Sequence, residues 1–230
     1  MSPSGECEER FYQQLYGVNN RGIDLSTGLD RGVVAAFQRL QNRAKQAGFD
    51  LVIASAHRGF ERQLTIWNAK AAGQRPVLDD DDNPIDINNL NDWEQVQAIL
   101  RWSALPGASR HHWGTDMDIY DKAAVADDYT VELTAAEVAV DVPFGPMHQW
   151  LDQQIANGSA EGFFRPYDID RGGVAPERWH LSYFPLAEKF QQNMTLAGLE
   201  AFLHDKPLLL KDAVLAHLPE LYGRYIDLPS

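Results

Sequence analysis

Residues 109–121 read SRHHWGTDMDIYD. Two adjacent histidines, three carboxylates and one glycine share this stretch, with no lysine among them. Its second half, TDMDIYD, alternates polar and apolar side chains with the period of two that belongs to a half-buried strand. Asp116 and Asp118 lie two apart, so they share one face of that strand. Gly114 permits a turn just before it, which lets His111 reach back over the strand. A histidine and an aspartate seven positions apart can then converge on one ion.

Outward from this strand, the elements alternate in type. GVVAAFQRLQNRAKQAG, residues 32–48, places Val33, Phe37, Leu40 and Ala44 at helical spacing and stops on Gly48. DLVIASAHR supplies a short β-prone run, Leu51 to Ala54, and FERQLTIWNAKAAG a second helix with Phe60, Leu64 and Trp67 along one side. Arg58 therefore sits at a strand-to-helix junction, where side chains commonly point into a site. WEQVQAILRWSALPG predicts a helix ending near Pro106, and PMHQWLDQQIANG another ending at Gly158. RWHLSYF reads as a strand with His180, Ser182 and Phe184 on one face. The tail from Leu186 is helical in pattern, interrupted at Pro207 and Pro219. The strands are few, short and without the βαβ rhythm of a doubly wound sheet, so the expected class is α+β, a small antiparallel sheet surrounded by helices.

Composition narrows the functions. With 230 residues and 44% hydrophobic content, the chain suits a single domain over 1–230 with a helical C-terminal segment from about residue 186. A net charge of −13 argues against nucleic acid or an anionic lipid surface as partner. Cys7 is the only cysteine, so any metal must be held by nitrogen and oxygen. The first residues have neither a basic n-region nor an apolar core, and no stretch reaches the ~18 apolar residues of a membrane span. The sequence as it stands reads as cytoplasmic, with the cell envelope as the alternative. The Asp79 to Asp82 run invites a calcium reading, but an EF-hand loop wants glycine where Pro84 stands and glutamate where Leu90 stands. A solvated acidic loop is the expectation there.

A catalytic zinc site needs three protein ligands and one open position. The third candidate is His180 in PERWHLSY, projecting from the face of its strand. Glu177, three residues earlier, lies at the strand's mouth, close to the ion without binding it. Zinc lowers the pKa of its water toward ~7, and a carboxylate within reach can take the proton and return it to a leaving amine.

These residues also match a known pattern. SRHHWGTDMD resembles the S-x-H-x-x-G-x-A-x-D signature, and ERWH the E-x-W-H signature, of the VanY/VanX-like D-alanyl-D-alanine metallopeptidases, the M15 group. That group shares its zinc-site architecture with lysostaphin-type enzymes and the hedgehog signalling domain. SAHRGFERQ is similar to the group's S-G-Y-R-S-x-x-x-Q segment. The motifs occur in the group's order and span Ser55 to His180. The resemblance implies His111, Asp118 and His180 as ligands of one zinc ion and Glu177 as catalytic base. It implies Arg58 as the guanidinium facing the scissile carbonyl or the substrate carboxylate, a role that a developing oxyanion independently calls for. It implies substrate contacts for Ser109 and Gln63. Asp116 stands where the signature has a small apolar residue, and His57 where tyrosine is usual; Asp116 is expected either behind a ligating imidazole or against substrate. His112, beside His111, is the rival ligand, but its position carries no metal role in the group. A salt bridge to Asp116 or Glu61 is the competing reading for Arg58.

The activity implied is removal of the terminal D-alanine from a peptidoglycan stem peptide, a peptide substrate with a D-amino-acid C-terminus. The alternatives are L,D-carboxypeptidase or lytic endopeptidase action on the same fold, or a zinc-stabilised binding module without catalysis.

Overall fold

The computed structural model describes residues 3–228. The chain opens on helix α1 (Pro3–Leu15), then a small hairpin of β1 (Ile23–Asp24) and β2 (Leu29–Asp30), and α2 (Arg31–Gln46). Strand β3 (Leu51–Ser55) leads to α3 (Phe60–Ala71). A second small hairpin, β4 (Val77–Leu78) with β5 (Pro84–Ile85), precedes α4 (Asp92–Leu100). Strand β6 (Asp116–Asp121), helix α5 (Gly145–Ala156), and strands β7 (Phe163–Phe164) and β8 (His180–Tyr183) follow. The chain closes with α6 (Phe184–Asn193), α7 (Leu196–Leu203), α8 (Lys211–Ala216), α9 (Leu218–Leu221) and a π-helical turn, Tyr222–Ile226. This is the α+β arrangement: helices around small antiparallel sheets. No helix among the described residues is long and apolar enough to cross a membrane.

The main sheet has the order β3-β6-β8-β7, and every neighbouring pair is antiparallel. Its register decides where the polar residues of 109–121 go. Asp118 lies opposite His180, and Asp116 opposite Ser182. Residues directly opposite in an antiparallel pair project from the same face. The intervening Met117, Ile119 and Leu181 therefore project from the other face. There they pack with Val33, Phe37 and Leu40 of α2 and Met147 and Leu151 of α5. One face is dry core, and the opposite face carries the carboxylates and histidines. A second apolar core, around Trp67, Val96, Ile99, Leu199 and Leu218, joins α3 and α4 to the C-terminal helices.

Gly114 makes the turn between His111 and β6. It adopts φ +72°, and its carbonyl accepts from the Asp30 N–H at 2.8 Å. A Cβ there would meet Ile23 Cδ1 at 2.4 Å and Asp30 N at 2.8 Å. G114A is expected to destabilise the fold by about 3 kcal/mol, from left-handed backbone strain plus overpacking. A denaturant midpoint indistinguishable from wild type would contradict this.

The sequence expectations and the structure differ in several places; the helix expected to end near Pro106 already ends at Leu100. Helix α1 was not expected, because its apolar residues are sparse; it is held by packing, Phe11 stacking on Phe190 at a centroid distance of 4.8 Å. The acidic loop contains the β4–β5 hairpin, whose turn is closed by Asp79 Oδ1 accepting from the N–H groups of Asp81 and Asn83. The strand RWHLSYF is only His180–Tyr183, with Phe184 already in α6. The break expected at Pro219 is present: α8 ends at Ala216 and α9 begins at Leu218, with Pro219 in its first turn, where the missing N–H is harmless.

Candidate active site

The three residues nominated as ligands come together. One donor atom each from His111, Asp118 and His180 lies within 4.8 Å of the others, and all three residues are buried. His111 arrives from a 3-10 turn, Arg110–His112, and the other two from paired positions on β6 and β8. His111 Nδ1 lies 2.9 Å from the carbonyl oxygen of Ala56, which can only accept, so this nitrogen carries the proton. Its Nε2 then carries the free lone pair, 3.4 Å from Asp118 Oδ2. His180 Nδ1 lies 3.2 Å from Asp118 Oδ1 and 3.6 Å from Glu177 Oε2. Asp118 Oδ1 is buried with no aligned hydrogen-bond donor among the described residues. Two imidazole nitrogens and an acceptor carboxylate oxygen facing one point fit a divalent cation of the zinc type.

Electrostatics differ between the two imidazoles. Burial pulls the His111 pKa down to about 4, against the pull of Asp118, so this ring is neutral at physiological pH. Burial acts the same way on His180, but its hydrogen bond to Asp116 and the nearby Asp118 carboxylate outweigh it and raise the pKa to about 9. Glu177 is pushed up to about 7, first by burial, with His180 opposing and Asp118 reinforcing. A carboxyl poised near neutrality is suited to proton transfer.

His112 settles its own case. Its Nε2 accepts from the Gly107 N–H at 3.0 Å, and its Nδ1 donates to the Arg58 carbonyl at 2.5 Å. Both ring nitrogens are occupied, so none is left for a metal. This fully buried ring instead braces the loop that carries Arg58.

Arg58 lines the same cleft of about 950 Å³ as Ser109, His111, Asp118, Glu177 and His180. Its Nη1 donates to Gln63 Oε1 at 2.8 Å, while Gln63 Nε2 donates to the Ala104 carbonyl at 2.6 Å. Gln63 is fully buried, so the substrate contact expected for it is corrected: its amide is used up in holding Arg58. Of the two expectations for Asp116, the place behind a ligating imidazole holds and the substrate contact is corrected. It is 0% exposed and takes no part in the cleft wall; it lies behind His180 and pairs with Arg110, not Arg58. Ser109 Oγ is buried at the cleft without a partner among the described residues, a hydroxyl left available there.

Lys70 is a cleft residue that the sequence reading passed over. It sits on α3 and donates to Ser103 Oγ at 2.8 Å. Burial, then repulsion from Arg75 and Arg58, lowers its pKa to about 8. On an amphipathic helix a lysine looks like solvated surface, and only the packing of α3 against residues 100–105 turns it inward. Tyr225 and Ile226, from the turn Tyr222–Ile226, line the cleft as well.

A family model described as VanY, D-alanyl-D-alanine carboxypeptidase, matches residues 26–186, well over half of the chain. The chain belongs to this family. The match contains every residue discussed above as ligand or catalytic group and ends within α6. Among curated proteins, an uncharacterized protein of Haemophilus influenzae is 53% identical over 77 residues, covering 34% of this chain and 53% of that protein. A D-alanyl-D-alanine carboxypeptidase of Enterococcus faecalis is 26% identical over 171 residues, covering 73% of this chain and 53% of the relative. The chain thus spans about half the length of each of these two relatives. Among solved structures, VanYB in complex with D-alanine-D-alanine is 23% identical with a TM-score of 0.48, covering 77% of this chain and 83% of that one. The LdcB LD-carboxypeptidase is 21% identical with a TM-score of 0.48, covering 80% and 67%.

Proposed function

We propose that this chain is a zinc-dependent D-alanyl-D-alanine carboxypeptidase that removes the terminal D-alanine from a peptidoglycan stem peptide, working as one peptidase domain. The observation that carries the reading is the meeting of His111, Asp118 and His180 beside a partly buried Glu177 that is not needed as a ligand. A zinc ion held by these three residues would supply Lewis acidity, lowering the pKa of water and polarising the scissile carbonyl.

The residues of the chain do the rest. The Glu177 carboxylate takes a proton from the attacking water, whose oxygen bonds to the carbonyl carbon. The same proton goes to the departing amine nitrogen as the C–N bond breaks. Arg58, its guanidinium steadied by Gln63, offers fixed donors to the oxygen on which negative charge develops. Lys70 adds a second cation, suited to a free C-terminal carboxylate, and the Ser109 hydroxyl a further donor.

Lys70 makes the reading testable by pH. Its depressed pKa means that its positive charge is present below about pH 8 and lost above it. KM for a peptide with a free carboxylate is expected to rise roughly tenfold between about pH 7 and about pH 9.5, the worth of one charge-assisted hydrogen bond in a half-wet cleft. K70M should flatten that rise. A wild-type KM that stays level across this range removes Lys70 from the carboxylate.

The activity is tested by incubating the protein with a peptide ending in D-Ala-D-Ala, with and without a zinc chelator, and reading products by mass spectrometry. Loss of one terminal alanine, abolished by chelator and restored by zinc, is the expected result. Internal cleavage would make the protein an endopeptidase, and no turnover in the zinc-loaded protein would leave a binding module.

A further inference from the structure

We propose that the buried Arg110–Asp116 pair is a positioning device for the metal site. It holds the His180 ring with its proton on Nε2 and its lone pair on Nδ1, and it couples that orientation to the C-terminal helices. The proposal rests on the reading of His111, Asp118 and His180 as metal ligands, and it assigns a role to a residue that departs from the resembled signature.

Asp116 receives four donors while wholly shut off from solvent. Arg110 Nε donates to its Oδ1 at 2.8 Å, and Thr115 Oγ1 and Ser182 Oγ to its Oδ2 at 2.5 and 3.0 Å. The fourth contact is His180 Nε2, 2.9 Å from Oδ1. A carboxylate paired with a guanidinium is an acceptor only, so the shared proton must sit on His180 Nε2. With that nitrogen's proton held by Asp116, Nδ1, the atom that faces Asp118 and Glu177, is the one left to give up its proton and act as ligand. A carboxylate behind a ligating imidazole also makes it more basic, and removing such a partner typically weakens metal binding 10–100-fold.

The buried charge is balanced rather than bare. Arg110 Nη2 donates to Ser182 Oγ at 2.8 Å, its guanidinium lies 4.7 Å from the centre of the Trp113 ring, and its Nη1 donates to Gln191 Oε1 at 3.0 Å. Gln191 in turn donates to the carbonyl of Ile226 at 2.9 Å. A continuous chain of hydrogen bonds thus runs from the turn Tyr222–Ile226, through α6 and Arg110, to the ring of His180. Gln191 and Ile226 lie beyond residue 186, where the family match ends. The small residue of the signature provides no such link; in this chain the C-terminal helices and the site share one polar network.

The test measures zinc affinity by competition with a chromogenic chelator, and the His180 ring protons by nitrogen–proton NMR of the zinc-loaded protein. In wild type the His180 proton is expected on Nε2, strongly downfield as a charge-assisted hydrogen bond. In D116N that signal moves upfield and the zinc Kd rises 10–100-fold, with the His111 ring signals unmoved. A D116N Kd within twofold of wild type, or a wild-type His180 without a proton on Nε2, overturns the proposal. The wild-type spectrum decides the matter even where D116N does not fold. A wild-type protein that binds no zinc would instead overturn the metal reading itself, and this proposal with it.

Discussion

E177A is expected to abolish turnover and leave zinc bound. Glu177 sits within 3.6 Å of His180 Nδ1, yet its carboxylate is not required to complete the set of two imidazoles and one aspartate. Its removal therefore takes away the proton acceptor and keeps the cation. General acid–base groups contribute about 10²–10⁴-fold, so kcat should fall by about three orders of magnitude with zinc stoichiometry unchanged. The isosteric E177Q should behave alike, since an amide cannot take the proton. Stability should move the other way in the metal-free protein. A carboxyl whose pKa is raised to about 7 keeps its proton longer in the folded chain than in the unfolded one, so folding loses stability as pH rises from its ordinary value toward 7. E177Q escapes that loss and should melt higher than wild type at pH 8. A variant with wild-type kcat would remove Glu177 from the mechanism.

The second large effect is H180A, which should lose metal, activity and stability together. Two protein ligands remain, too few to hold zinc tightly. The ring also stands between two carboxylates that are 0% and 4% exposed. Deleting it leaves Asp118 facing an empty space and takes one of four donors from Asp116. Removing one partner of a buried charged pair costs about 3–5 kcal/mol, so the denaturant midpoint of the metal-free protein should drop accordingly. Elemental analysis and a denaturant titration check both halves. Wild-type zinc content in H180A would end the assignment of this ligand set. The contrast with E177A, which keeps metal, is what separates a ligand from a base.

How far these residues could be read from the sequence differs from one to the next. His111, Asp118, His180, Glu177 and Arg58 carried both a chemical rationale and a spaced motif, and the structure lines all five along one cleft. Gln63 and Asp116 carried a motif position or a chemical type without a direction. Packing turned both away from the cleft, and each now supports a neighbour, Arg58 and His180 respectively. Lys70, Arg110 and His112 gave no usable signal. A charged side chain on a helix or an imidazole beside another is ordinarily solvent-facing, and only burial against elements distant in the chain makes these polar groups find each other. The short strand β7 and helix α1 were missed for a related reason: neither has enough local periodicity, and both exist because a neighbour covers them.

What the amino-acid order determined by itself is whatever repeats with the period of a helix or strand, or depends on residues near in sequence. That covers α2, α3 and α5, strands β3 and β6, the turn at Gly114, and the presence of two aspartates on one face of β6. What only the tertiary structure decided is which groups meet across long separations. The register Asp118 opposite His180 joins positions 62 apart, and the Gln191–Ile226 link reaches Asp116 through Arg110. The physical reason is that hydrogen-bond geometry and burial act over a few ångströms in space, whereas sequence pattern reports only contacts within a turn or along a strand.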